Sequence, residues 1–478
     1  MVMKNIPQHH ARGRMTIAVA TLFLFVAHAQ AQCLFEHLFL EDASDTALFG
    51  SSIAMDSERL VVGAMLDTGA AWGSGRLHVH RRNGSSWQRS QILEAPDGDL
   101  TDMLGSAVDI DGPTIIAGAW WDEENGERSG SAYLFEDDGS GNFVFAGKLT
   151  ASDGLPEATF GRTVAVDGNL AVVGAPLHSS DASAAGAAYL FERDESGWSQ
   201  VAKITPKSLS AGDRFGISVD LEASTLVIGS SWADEERGRV HVFEIGAGGS
   251  VAQVAMIQPP AIDPGDQFGF DLALDQDTLL VGAYLDDEEA TDGGSLWFYE
   301  RTAMGWSLAQ GPVLAGLGEA NAQLGVSVAL QDFHALAGAR YASANGSPAN
   351  SGLAVIFNDF GSWQHTGVIG SNTPQTDSEF GWDVALDAEQ ALYGAVSALY
   401  EDVLIEDDGS AYIIDFNDEF CGGNTIGDIN SDGRVDGADL TILLGEWGVC
   451  SQFYCAGDLN GDGLIDGIDL TLLLGSWS

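Results

Sequence analysis

Positive charge is scarce in this chain. Lysine and arginine together number 20 against 70 aspartates and glutamates, a formal net charge of −50 over 478 residues. Such a surface repels the phosphates of nucleic acids and of anionic membranes and excludes both as partners. It suits divalent cations or a saline exterior. Long apolar runs are also lacking: past residue 31, no stretch approaches the roughly 18 continuous apolar residues that a membrane span needs. Membrane insertion is thereby excluded. No nucleophile–histidine–acid set, Cys/His metal cluster or phosphate-cradling loop is present. Cysteines number only four. What the chain does have is 60 glycines, 22 phenylalanines and 45 % apolar residues. That content buries a core, which excludes disorder throughout, and it favours short strands and tight turns over helices.

The N-terminus reads as an address. Lys4, Arg12 and Arg14 precede the apolar run MTIAVATLFLFVAHA, and Ala29-Gln30-Ala31 follows it with small–x–small spacing. This pattern predicts a secretory signal peptide over residues 1–31 and an exported protein, extracellular or at the cell surface.

One phrase then recurs seven times. FGSSIAMDSERLVVGA at Phe49 returns at Leu104, Phe160, Phe215, Phe268, Leu324 and Phe380, at spacings of 55, 56, 55, 53, 56 and 56 residues. Each unit holds an alternating segment, a polar turn, an apolar run ending in Gly-Ala, a Gly-led strand such as GAAYLFER, and an outer strand such as GWSQVAKIT. Runs such as LVVG lack alternation, as strands buried on both faces do. Four antiparallel strands in each of seven units predict a mainly β protein, a seven-bladed β-propeller over residues 32–420. The seventh unit ends before a fourth strand, and CLFEHLFL stands unpaired before the first. The N-terminal strand is therefore expected to complete blade seven. A Cys33–Cys421 disulfide would staple that seam and leave Cys450 to pair with Cys455; four cysteines allow three connectivities, and two reduced pairs remain the alternative.

The repeated FG…VVGA…G…YLF phrase is similar to the FG-GAP repeat of integrin α-subunit propellers and of many exported bacterial proteins. Many such blades carry a calcium loop between their first two strands. Here that turn is as short as MDSER, DIDGP or VDGN, so the propeller resembles the short bacterial variant and is expected to lack that loop.

The chain finishes with a different phrase written twice, GDINSDGRVDGADLTILLGEW from Gly427 and GDLNGDGLIDGIDLTLLLGSW from Gly457. A calcium loop takes oxygen ligands at positions 1, 3, 5, 7, 9 and 12, with glycine at 6 for the bend. The first copy offers Asp428, Asn430, Asp432, the carbonyl of Arg434, Asp436 and Asp439; the second offers Asp458, Asn460, Asp462, the carbonyl of Leu464, Asp466 and Asp469. Four carboxylates per loop repel one another without a cation, so two bound Ca²⁺ are expected. CGGNTI and CSQFYCA, which precede the loops, do not read as helices. Only exit helices are expected, with Leu440, Leu443, Leu444 and Trp447 echoed by Leu470, Leu473, Leu474 and Trp477 as stripes that pack on each other. Two such loop–helix halves, a small α domain over residues 424–478, resemble a type I dockerin. That resemblance implies docking to a cohesin-like or other cell-surface partner, often in the company of polysaccharide-degrading enzymes. Gly437-Ala438 and Gly467-Ile468 stand where dockerins usually carry hydroxyl or charged pairs, so the partner is expected to be met through the helices.

For the propeller, His78 and His80 sit where sibling units carry Tyr and Phe, and a packing role is expected of them. The loops after the Gly-Ala strands are more suggestive. WWDEEN, SWADEE and YLDDEEA set Trp120, Trp121, Trp232 and Tyr284 beside paired acids at equivalent positions. These loops are expected on one rim, where rings stack on sugars and acids take hydroxyls or cations. The resulting reading is a non-catalytic binding or adhesion protein with a glycan or protein ligand on the propeller. The competing reading is an enzyme of extracellular polysaccharide breakdown.

Overall fold

The computed structural model describes residues 35–40, 46–56, 58–84, 86–179, 182–259, 261–343, 347–371, 374–387, 393–401, 408–416, 437–445 and 447–449. It also describes 464–465, 467, 470 and 473–474. Seven four-stranded antiparallel sheets follow one another along the chain, six of them in simple sequence order. Blade 1 runs through Phe49–Met55, Arg59–Ala64, Arg76–Asn83 and Ser86–Leu93. Blades 2 to 6 occupy 107–149, 163–204, 219–257, 272–313 and 324–369. In blade 7 the strands Phe380–Asp387, Tyr393–Ala398 and Ser410–Asp415 are completed by Phe35–Leu38 from the other end of the chain, with Phe35 opposite Ile414 and Leu38 opposite Ala411. The first strands of neighbouring blades contact one another all the way round, so the ring is closed and each first strand lines the central channel. Second strands such as Leu60–Ala64 and Ile115–Ala119 are wholly buried, as their unbroken apolar runs require.

The recurring Phe or Leu of each unit is the plug between blades. Phe49, Leu104, Phe160, Phe215, Phe268, Leu324 and Phe380 are all buried, and Phe160 meets Tyr189 edge-on at 5.4 Å. The glycine beside it is fixed by backbone approach. A Cβ on Gly118 of blade 2 would lie 1.9 Å from the carbonyl oxygen of Gly161 in blade 3. Gly161 itself holds φ at +87°, a region costly for side-chain-bearing residues. The FG and GA dipeptides are therefore two halves of one blade-to-blade contact.

Blade 7 departs from the sequence phase. The repeat places Gly394-Ala395 at the Gly-Ala position, but Phe380 pairs with Ala398 and Val384 with Val396. In blade 6 the corresponding partner of Leu324 is Ala339, 15 residues on; in blade 7 the partner is 18 residues on. Three extra residues between the first two strands move the register, and Ser397 stands where the other blades carry glycine.

At the C-terminus a helix spans Gly437–Gly445, and the strand Gly448–Val449 pairs with Leu464–Ile465. Leu443, Ile465 and Leu473 are buried together with Leu440 and Leu470 against them. Leu444, Trp447 and Leu474 are exposed, so only part of the predicted stripe is covered. The four cysteines, and with them the proposed disulfides, lie outside the described residues, as does the predicted signal peptide.

Candidate functional site

The channel has two ends of different chemistry. Its cavity, about 340 Å³, is lined by the first strand of every blade. Among the described residues no strand pairs along the channel-side edge of those strands beyond isolated bridges at Leu324 and Phe380, so their N–H groups need acceptors. Acids and hydroxyls of the preceding blade supply them. The Ile53 N–H donates to Asp383 at 2.8 Å, Val166 to Asp109 at 2.7 Å, Leu274 to Asp220 at 2.6 Å and Val328 to Asp271 at 2.7 Å. Val108 N–H donates to the Ser52 hydroxyl at 3.0 Å. Toward the turn between first and second strands the pattern repeats: Gly168 donates to Asp111, Ala223 to Asp167, Gln276 to Glu222 and Asp332 to Asp275. These acids lace one blade to the next.

Crowding in this confined space disfavours charge. Burial pushes Asp220 up to about 7, with nearby Asp109 adding to the effect, and pushes Asp109 and Asp383 each to about 6. Asp271 is raised well above its usual value by burial and by Asp383.

The opposite end is formed by the loops after each Gly-Ala strand and those preceding each FG. Here the residue before the recurring Phe or Leu is left-handed in all seven blades: Leu48, Met103, Thr159, Arg214, Gln267, Gln323 and Glu379 have φ between 52° and 62°. Each such residue costs about 1–2 kcal/mol. Backbone bonds to the neighbouring blade hold the turn, as Phe160 N–H to Ser129 (3.0 Å) and Phe215 N–H to Ala185 (2.9 Å) show. Of the side chains at this position, Leu48, Thr159, Gln267 and Glu379 are buried, and Arg214 is only partly so.

Trp120, Trp121, Trp232 and Tyr284 lie half-buried on these loops. Trp120 and Trp121 meet edge-on at 5.3 Å. Their companions differ from the expectation of free rings beside free acids. Arg214 lies 3.6 Å over the Trp232 ring, Arg128 4.3 Å over Trp121 and Arg162 5.6 Å over Trp120. Arg340 lies over Tyr341 and Trp382, at 4.9 and 5.1 Å. Tyr284 donates to Gln267 (3.3 Å). The first acid in two of the loops turns inward. Asp122 accepts from Tyr133 at 2.8 Å and pairs with Lys148 at 2.9 Å, and Asp286 accepts from Ser295 at 2.5 Å. In blade 1, Asp67 accepts from His78 Nε2 at 3.1 Å, and His78 and His80 pack edge-on to Phe49. These groups tie the loop to the third strand and are not available to a ligand.

Between blades 3 and 4 the rim encloses a small pocket, about 80 Å³, lined by Trp120, Thr159, Arg162, Leu177, Arg214 and Ile217. The arginines are what sequence reading missed. They occupy three different repeat positions, after FG (Arg162), before it (Arg214) and after Gly-Ala (Arg340), so no phase marks them. Their rarity among 70 acids is the signal that was present.

Among the described residues, no group of three or more His, Cys, Asp or Glu is placed to hold a metal ion. Of the predicted calcium ligands, Asp428, Asn430, Asp432, Arg434, Asp436, Asp458, Asn460, Asp462, Asp466 and Asp469 lie outside the described residues. Asp439 falls in the helix Gly437–Gly445 and Leu464 in the strand Leu464–Ile465, by backbone only.

Compared with known families, the chain matches the one described as FG-GAP repeat at residues 35–80, 87–135, 143–191, 198–243 and 251–299, together half of its length. No curated protein matches it significantly. Each matched segment after the first begins in or beside the outer strand of one blade and ends in the third strand of the next.

Proposed function

Because the chain belongs to the FG-GAP repeat family, we propose that it is an exported, non-catalytic binding or adhesion protein that holds a glycan on the aromatic rim of its propeller. The observation that carries this reading is the pocket of Trp120, Arg162 and Arg214 between two blades. A propeller of this family fits binding in general. The choice of a glycan rests on rings and planar cations set side by side, groups that meet a sugar's apolar face and its oxygens. An array of neutral and charged glycans tested on the full chain, alongside a reducing-sugar assay for hydrolysis, separates binding from breakdown. Hydrolysis of any bound glycan overturns the non-catalytic reading.

The terminal phrase supports a second role, attachment. Asp428, Asn430, Asp432, Asp436 and Asp439 with the Arg434 carbonyl would hold one Ca²⁺, and Asp458, Asn460, Asp462, Asp466 and Asp469 with the Leu464 carbonyl a second. Calcium would neutralise the four carboxylates of each loop and order the module around Leu443, Ile465 and Leu473. The dockerin-like tail then offers Leu444, Trp447 and Leu474 to a cohesin-like or other cell-surface protein. Calorimetric titration of the calcium-stripped full chain is expected to give two ions per chain at these loops, lost in the Asp428→Ala, Asp458→Ala double variant. Unchanged stoichiometry in that variant removes the loops from the account.

A further inference from the structure

The rim pocket carries two cations without an ion-pair partner among the described residues. Arg162 has no carboxylate within ion-pair distance among the described residues, and neither has Arg214. That is unusual in a chain with 3.5 acids per basic residue, where Arg59, Arg76, Arg193, Arg237, Arg239 and Arg301 all find one. Arg162 and Arg214 come from adjacent blades yet line the same cavity, with the Thr159 hydroxyl beside them and Trp120 as a wall. The guanidinium carbons of Arg162 and Arg214 lie 5.6 and 3.6 Å from the ring centroids of Trp120 and Trp232. Burial alone pulls the Arg162 pKa below its usual value, which is the mark of a cation that its surroundings do not compensate. Arg214 stands at the left-handed position before the recurring Phe, φ 55°, as its counterparts do in the other six blades.

We propose that this pocket takes the anionic group of a sparsely charged glycan, a uronate carboxylate or a sulfate ester, held between Arg162 and Arg214. The inference rests on the glycan reading above and adds the ligand's charge. Planar guanidinium forks match carboxylate and sulfate oxygens in pairs, as an ammonium does not. The cavity has room for several waters or one compact anion, not a whole sugar ring, so the pyranose lies outside on the rim. A densely charged polymer is disfavoured by the net charge of −50, whereas one isolated anion lies within a screening length of about 8 Å of the arginines at physiological salt.

The test uses the full chain with calcium on a glycan array in which each backbone is present in neutral, uronate-bearing and singly sulfated forms. For at least one backbone, an acidic form is expected to bind about tenfold or more tighter than its neutral partner, and the uronate and sulfate arms identify which anion. Arg162→Gln with Arg214→Gln is expected to abolish that preference while leaving the melting temperature in place. Should the double variant fail to fold, Arg162→Lys with Arg214→Lys keeps the charge but loses the fork, and the preference is again expected to fall. The wild-type comparison of acidic with neutral forms needs no variant. Equal binding of neutral and acidic forms overturns the anion site and leaves the glycan reading standing. A preference that survives both variants also overturns it. No binding to any glycan, or binding only to an acidic peptide such as polyglutamate, overturns both readings together.

Discussion

The two ends of the propeller channel spend charge in opposite ways. At the end near the turns between first and second strands, acids are structural: Asp111, Asp167, Glu222 and Asp275 each accept an N–H from the next blade. At the other end, Arg162 and Arg214 lie over Trp120 and Trp232, and neither has an acid partner among the described residues. A net charge of −50 therefore does not describe a uniformly acidic coat. Part of it is internal lacing, placed where an edge strand has donors to satisfy. Most cations pair with acids, as Arg59, Arg193 and Arg301 do, whereas Arg162 and Arg214 at the rim have no such partner among the described residues.

The severest way to break the comparison is to break the ring that both ends share. Gly118→Val places side-chain atoms where the Gly161 carbonyl already stands, and loss of more than about 4 kcal/mol, in practice failure to accumulate folded protein, is expected. Circular dichroism and urea unfolding of the purified variant check it; a folded variant of near-native stability would mean that the blades can part at this contact without penalty.

A smaller effect sharpens the contrast. Asp220→Ala and Asp271→Ala each leave a buried N–H of the next blade without its acceptor, at Leu274 and Val328. Each is expected to destabilise by about 1–3 kcal/mol in urea unfolding while glycan affinity stays unchanged. Loss of affinity at temperatures where the variant remains folded would show that the two ends are not separable.

The smallest effect is one of pH. Asp109 and Asp383 near 6 and Asp220 near 7 titrate above the ordinary carboxyl value near 3.8. Their folded-state pKa is raised, so the folded protein binds the extra protons. Their contribution to stability is complete below about pH 4 and is lost as pH rises through 6 to 7. The melting temperature is expected to fall by a few degrees over that window, and less in Asp220→Asn, which keeps an acceptor for Leu274 but does not titrate. A melting temperature that rises from pH 4 to 7 at constant salt would contradict the assignment.

Most of the architecture is legible in the sequence because the period is written in glycine and phenylalanine, the residues that backbone approach and inter-blade packing leave no freedom to change. The closure of blade 7 by Phe35–Leu38 was readable for a similar reason, since an outer strand was missing at one end and an orphan stood at the other. The register of blade 7 was not. Gly394-Ala395 imitates the motif, and only the pairing of Phe380 with Ala398 shows that three added residues push it out of place. The rim was half readable. Trp120, Trp121, Trp232 and Tyr284 announce themselves by shared position, but Asp122 and Asp286 turn inward to partners on another strand. Arg162 and Arg214 meet only because loops from adjacent blades converge, a relation that no one-dimensional spacing carries.

The strand that closes the ring has a consequence in time. Phe35–Leu38 leaves the ribosome early, and its partner Ser410–Asp415 follows some 375 residues later. At synthesis rates of 5–20 residues per second, roughly 20–75 s pass before the two can meet. Through that interval the growing chain is an open arc with an unpaired strand at its head, and blade 7 cannot exist. Closure therefore cannot precede synthesis of Ser410–Asp415, and any agent that holds the first strand, a chaperone or a translocation channel, delays it further.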